Sequence, residues 1–213
     1  MKFFILYLTT LWAISVGTTA ESAASNQTVK ITVFYESNAA NSRDFLVNQL
    51  GPAYEWLKEY ISLDLVPFGH VYKDPIHNEF HCQYGAAECY ADRAQACVID
   101  ATSNDTIRFK YVRCMMAHAG NTLVNKAAQE CLELTPSLSW DTISKCVDGP
   151  QGKQLTEACY QKKKTMVVNP SRDALPLVLI DDKWTLALEM EAQFRLYWLL
   201  CEQYLTGVPE CKL

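Results

Sequence analysis

Cysteine supplies the residues of this chain best placed to do chemistry: Cys82, Cys89, Cys97, Cys114, Cys131, Cys146, Cys159, Cys201 and Cys211. A thiolate is a nucleophile and a metal ligand, and two thiols close a disulfide. None of the nine falls in a CxxC pair, so a structural zinc site is not expected. Nine is odd, so at least one thiol is free or bonded to another molecule. His77 and His81 stand four apart beside Cys82. That spacing unites two imidazoles only on a helix, and Pro75 opposes a helix there. His70 and His118 have no partner in the sequence. No Ser-His-Asp arrangement, phosphate-cradling glycine loop or catalytic carboxylate pair stands out. No metal and no cofactor are expected.

The start of the chain sets the compartment in which those thiols work. Lys2 is a short positive region, Phe3 to Val16 form an apolar run, and Gly17-Thr18-Thr19-Ala20 offers small residues for cleavage. Residues 1–20 therefore read as a secretory signal peptide, too short in its apolar part for a membrane span. All nine cysteines follow it and enter an oxidising lumen where disulfides persist. Asn26-Gln27-Thr28 and Asn104-Asp105-Thr106 are N-glycosylation sequons, which fit that route, whereas Asn169-Pro170-Ser171 is spoiled by its proline. No later stretch is apolar enough for a transmembrane segment. The chain carries 19 basic and 24 acidic residues, and Lys162-Lys163-Lys164 is its only basic run, so no nucleic-acid partner is expected.

The elements that must position the cysteines can be read from periodicity. Residues 21–28 are small and polar, a flexible lead-in. Val29 to Tyr35 alternates as a half-buried strand, with Val29, Ile31 and Val33 facing one way and Lys30 and Thr32 the other. A turn follows at 37–42, with Asn41 and Ser42 as helix N-cap candidates. Phe45, Leu46, Leu50, Tyr54, Leu57 and Ile61 recur at helical spacing, interrupted by Gly51-Pro52. Leu63 to Val66 is a second strand, which completes a βαβ unit with a parallel pair. Residues 70–165 hold seven of the nine cysteines and helix-period segments at 91–101, 106–118, 123–134, 140–147 and 154–164. They predict a helical insertion stapled by disulfides. Pro176 to Ile180 is a short strand, Asp181-Asp182-Lys183 a tight turn and Trp184 to Leu186 an edge strand. Leu188 to Tyr204 is a terminal helix with Phe194, Tyr197, Trp198 and Cys201 on one face. The expected class is α/β, a thioredoxin-like fold (β-α-β … β-β-α) with a helical insertion, in a domain covering 29–213.

Cys82-Gln83-Tyr84-Gly85-Ala86-Ala87-Glu88-Cys89, followed by Asp92 and Cys97, resembles the signature of the gamma-interferon-inducible lysosomal thiol reductase (GILT) family. Tyr84 stands for the family's histidine and Asp92 for its asparagine, while Cys82, Gln83, Gly85, Glu88, Cys89 and Cys97 are in place. Val33-Phe34-Tyr35-Glu36, Leu65-Val66-Pro67-Phe68-Gly69, Cys146 with Gly149 and Gly152, and Pro176 extend the resemblance over most of the chain. It is similar to insect members, in particular to a degenerate mosquito form. The family places CxxC at the start of the helix after the first strand, where N–H groups and the helix dipole stabilise a thiolate. Here Ala39 and Ser42 occupy those positions. Alanine has no nucleophile, and a serine hydroxyl without an adjacent base is a cap rather than a catalyst.

The resemblance implies that Cys82, Cys89, Cys97, Cys114, Cys131, Cys146, Cys201 and Cys211 form structural disulfides and that Cys159 is the odd thiol. Cys159 would then be free, or join two chains as a disulfide-linked dimer. The lysine run beside it offers charge that lowers a thiol pKa. Pro176 matches the family's cis-proline, which faces the active-site turn. The family's invertebrate members are associated with immune defence. The expectation is therefore a secreted, or alternatively lysosomal, pseudoenzyme that binds an extracellular protein or a cell or pathogen surface. The alternative is a residual thiol-disulfide oxidoreductase that uses Cys159 or a labile Cys82–Cys89 pair.

Overall fold

β-Branched and aromatic runs form the strands of this chain, and amphipathic segments bring the helices onto them. A computed structural model describes residues 27–120, 123–166 and 175–212. The segment 1–20, most of the 21–28 lead-in, Asn26 and the stretch 167–174 lie outside the described residues. The first half begins with β1 (Val29–Tyr35), α1 (Ala40–Asp44), a π-helical turn (Phe45–Leu50), α2 (Gly51–Leu57) and β2 (Ile61–Pro67). A hairpin of β3 (Val71–Lys73) and β4 (Phe80–Cys82) comes next. Five helices follow: α3 (Ala86–Ala101), α4 (Asp105–Ala117), α5 (Val124–Leu132), α6 (Trp140–Asp148) and α7 (Pro150–Met166). β5 (Leu177–Ile180) and α8 (Leu186–Leu199) complete the fold.

β1 is the middle strand of the main sheet, in the order β2-β1-β5. It runs parallel to β2, from Val29 opposite Ile61 to Tyr35 opposite Pro67, and antiparallel to β5. Ile31, Val33 and Tyr35 pack with Phe45, Leu46, Leu50, Leu196 and Leu199 on one face. Phe34 turns to the other face and meets Val66, Phe68, Leu177 and Leu179, over which Cys159 and Tyr160 of α7 close. Each such side chain contributes roughly 1.5–3 kcal/mol by leaving water. Covered on both faces, β1 buries Thr32 completely, so the half-exposed strand expected from its alternation is corrected here.

Four other expectations change. The region 70–165 opens with the β3–β4 hairpin rather than being helical throughout. The helix after β1 is capped by Ala39 without a side-chain bond, so Asn41 and Ser42 are not its caps. Trp184 to Leu186 is not a strand: only the bridge between Ile180 and Lys183 forms, because Asp181 and Asp182 turn the chain with positive φ (49° and 60°). Thr185 then caps α8 by accepting from the Leu188 N–H at 3.1 Å. The buried side of α8 is Ala192, Leu196 and Leu199, while Phe194 is 77 % exposed. A backbone break at Arg195 (φ −151°, ψ 44°) and a π-helical turn at Leu200–Tyr204 rotate the inward face away from Phe194 and Trp198.

Four disulfides staple these elements. Cys82–Cys89 ties β4 to α3, Cys97–Cys146 ties α3 to α6, Cys114–Cys131 ties α4 to α5, and Cys201–Cys211 anchors the C-terminal turn. Among the described residues Cys159 is the one free cysteine. No helix among them is long and apolar enough to cross a membrane.

Candidate functional site

The site grows from the end of β1. The Ala39 N–H donates to the Glu36 carbonyl at 3.3 Å and closes the turn, and the first helical bond runs from the Arg43 N–H to the Ala39 carbonyl at 3.0 Å. The unpaired N–H groups of that first turn and their partial positive charge favour an anion at position 39. What stands there is a methyl group, 7 % exposed. Ser42, one turn on, is fully buried, and its Oγ accepts from the Glu36 N–H at 3.2 Å. That partner is a backbone donor, not an imidazole or carboxylate, so nothing there withdraws the hydroxyl proton.

A groove of about 370 Å³ opens over this turn, lined by Glu36, Ala39, Ala40, Asn41, His70, Gln83, Tyr84 and Leu175. The Leu175–Pro176 peptide is cis, and Leu175 lines the groove. The signature segment supplies the opposite wall. Gly85, with φ of 83°, turns the chain into α3 in a conformation that glycine adopts without strain. Cys82–Cys89 closes the loop around it.

Beneath the groove lies a group of buried carboxylates that sequence reasoning missed. Glu36 is 2 % exposed and accepts from the His70 N–H at 2.5 Å, with His70 Nδ1 at 3.1 Å. Gly69 makes room for it, since a Cβ at that position would sit 1.6 Å from Glu36 Cγ. Glu88 is 1 % exposed and accepts from the Tyr84 N–H at 2.8 Å. Asp92 is 4 % exposed. Its Oδ1 accepts from the Ser37 N–H at 3.2 Å and from the Ser37 hydroxyl. Gln95 Nε2 donates to Ser37 Oγ at 2.7 Å, and the Tyr35 hydroxyl donates to Gln95 Oε1 at 2.9 Å. Glu88 Oε1 and Asp92 Oδ2 are buried with no hydrogen-bond partner. Burial therefore raises the Glu88 carboxyl above its ordinary range, and the nearby Glu36 adds to this. Burial holds Asp92 well above its ordinary range, and the charges of Glu88 and Glu36 act in the same direction. The sequence signal was there in Glu36 and Gly69, which belong to the segments of resemblance, but the pairing of Glu36 with His70 across 34 residues has no local signature.

The remaining candidates fall away from the groove. Cys159 is partly buried on α7, and burial pushes its thiol up to about 12, with Asp92 adding to the shift and Lys162 opposing it. Lys162 is itself engaged by Asp64. The lysine run therefore does not activate this thiol. His77 pairs with Asp74 at 2.6 Å and His81 stacks on Tyr72, so the two imidazoles serve separate partners. One cluster of three potential metal ligands occurs among the described residues, Cys114, His118 and Cys131, and both of its sulfurs are committed to a disulfide. Asn104 is exposed and caps α4 through its Oδ1, which accepts from the Ile107 N–H at 3.2 Å. A larger cavity of about 470 Å³ lies behind Cys82–Cys89, where Arg93 and Lys153 mix with Glu79, Asp92 and Glu157 and select no one sign of ligand.

A central β1, a helix starting at its end and a cis-proline just before β5 define a thioredoxin-like fold. DsbA from Mycobacterium tuberculosis shares it, with a TM-score of 0.52 at 15 % identity over 90 % of this chain and 89 % of that one. The family is shown by sequence. The model for "Gamma interferon inducible lysosomal thiol reductase (GILT)" matches residues 30–135. The "Gamma-interferon-inducible lysosomal thiol reductase" of Carassius auratus is 32 % identical over 179 residues, 83 % of this chain and 68 % of that protein. "GILT-like protein 1" of Drosophila melanogaster is 26 % identical over 197 residues, 86 % of this chain and 77 % of that one. The chain belongs to the GILT family.

Proposed function

We propose that this chain is a GILT-family pseudoenzyme, a secreted binding protein that has kept the scaffold of a thiol reductase without its dithiol. The observation that carries this reading is the pair at the helix start, where Ala39 has no nucleophile and the Ser42 hydroxyl is buried against a backbone N–H. Disulfide reduction needs one thiolate to attack and a second to resolve the mixed disulfide. Neither is available there. Four disulfides and the groove remain around the vacant chemistry. On this reading residues 1–20 are removed, 29–213 form the working domain, and the stapled segment at about 70–165 is its insertion. Asn26 and Asn104 carry glycans, and export is favoured over lysosomal retention. The partner is an extracellular protein or a cell or pathogen surface in an immune setting, and an extended segment of it lies in the groove between Ala40, Tyr84 and Leu175. The residual-oxidoreductase alternative has less support, because the Cys159 thiol is pushed up to about 12 and stays protonated near neutral pH.

Groove binding is testable with a carboxymethylated, unfolded protein as the extended probe, its binding followed by fluorescence anisotropy. Ala40 is exposed at the groove. Ala40→Trp is expected to weaken binding about tenfold, the weight of one blocked contact region, with thermal unfolding unchanged. Equal binding by the filled variant would show that the groove is not the docking surface.

A further inference from the structure

We propose that Cys114–Cys131 is the disulfide that small monothiols open first, with Cys114 as the sulfur attacked and Cys131 as the leaving thiolate held by His118. Cys114 lies on α4, Cys131 on α5, and His118 caps the C-terminal end of α4 one turn after Cys114. His118 Nδ1 is 3.0 Å from the Cys114 carbonyl oxygen and 3.8 Å from Cys131 Sγ. A carbonyl oxygen and a disulfide sulfur carry no proton, so both can only accept. Nδ1 therefore holds the proton, with both acceptors within its reach. When Cys131 becomes a thiolate, this N–H is already in place to receive the charge.

Exposure assigns the same polarity independently. Cys131 is 0 % exposed, whereas Cys114 is only partly buried. An incoming thiolate must approach along the S–S axis, and the greater exposure of Cys114 makes its Sγ the expected point of attack. A better-stabilised thiolate leaves faster, so the hydrogen bond to Cys131 favours the bond cleavage that access requires. The other disulfides lack this combination. Cys97–Cys146 is buried at both sulfurs (2 % and 6 %). Among the described residues, His118 is the one imidazole within hydrogen-bond reach of a disulfide sulfur. The site is also close to the groove, since the Gly120 N–H just beyond His118 donates to Asn38 Oδ1 at 3.2 Å.

The exchange balances with a monothiol as reductant. The attacking thiolate forms a bond to Cys114 Sγ, and the Cys114–Cys131 bond breaks with its electron pair on Cys131 Sγ. The Nδ1–H holds that thiolate, which then recovers from solvent the proton that the attacking monothiol gave up. A second monothiol thiolate then attacks the small-molecule sulfur, leaving the Cys114 thiolate and a low-molecular-weight disulfide. Two monothiols are oxidised and one protein disulfide is reduced. Alternatively, Cys131 attacks Cys114 and expels the monothiol unchanged.

Full-length chain treated with reduced glutathione, quenched in acid, alkylated and peptide-mapped over time tests this directly. The expected first product carries glutathione on Cys114 and the alkyl group on Cys131. His118→Ala is expected to slow its formation about tenfold, the weight of one hydrogen bond to a charged sulfur. His118→Asn, which retains a side-chain N–H, is expected to keep part of the rate, and opening of Cys82–Cys89 is expected to be the same in both variants. Thermal unfolding of each variant separates loss of the contact from loss of the fold. Glutathione on Cys131, earlier opening of Cys82–Cys89, or an unchanged rate in a folded His118→Ala would each overturn the proposal. The exchange is stoichiometric and does not involve Ala39 or Ser42, so its failure leaves the binding-protein reading standing.

Discussion

Asp92→Asn is expected to stabilise the chain at neutral pH by about 1 kcal/mol, because it removes a buried charge while its amide nitrogen takes the place of the unpartnered Oδ2. The sign follows from linkage. Burial, with Glu88 and Glu36 nearby, holds the folded Asp92 carboxyl well above its ordinary value, so the folded state binds a proton more tightly than the unfolded state. That contribution is fully present below the ordinary carboxylate range and is lost as pH rises through the folded value. The natural chain is therefore expected to lose stability from acidic toward neutral pH. Asparagine keeps the Oδ1 acceptor for the Ser37 N–H and hydroxyl and removes the charge. Its residual slope comes from Glu88, whose carboxyl is raised for the same reason. Urea unfolding of both proteins from pH 4 to pH 8 measures this, and a natural chain whose stability climbs across that window would refute the assignment.

Loss of Cys97–Cys146 is expected to be the most damaging change to the framework. The bridge spans 49 residues and joins α3, which carries Glu88, Asp92 and Gln95, to α6. A loop of that length removes roughly 4 kcal/mol of unfolded-state freedom when closed, against roughly 3 kcal/mol for the ten-residue separation of Cys201–Cys211. Both sulfurs are buried, so Cys97→Ser/Cys146→Ser also leaves two hydroxyls in apolar surroundings. The unfolding midpoint should fall on the order of 10 °C. A shift under about 2 °C would mean that helix packing alone holds the insertion.

The sheet, the helix after β1 and the helices of the insertion were legible because each rests on local periodicity. Val29 to Tyr35 alternates, and Asp105–Ala117 begins with an Asn104 cap. What local pattern cannot carry is which faces are covered. Thr32 reads as solvent-facing until α7, more than 110 residues later, closes over its side of the sheet. Ser42 reads as a cap because serine in a turn before an apolar run usually is one. The Glu36–Ala39 turn starts the helix sooner and drives that hydroxyl inward. Phe194 and Trp198 follow helical spacing, but with the break at Arg195 and the π-helical turn after it they stay exposed. The candidate site was half legible for the same reason. The turn and the signature loop are local, whereas Glu36 with His70 and Ser37 with Asp92 are pairings set only by the assembled fold.

The replaced dithiol is the centre of the account, and reduction itself tests it most directly. Dithiol-dependent reduction of a protein disulfide substrate would be measured at acidic and neutral pH for the natural chain and for Ala39→Cys/Ser42→Cys. The natural chain is expected to add nothing to the uncatalysed background, and the double variant to turn over, because position 39 already sits at a helix start built to hold a thiolate. Sustained turnover by the natural chain would contradict the account, whatever the double variant does.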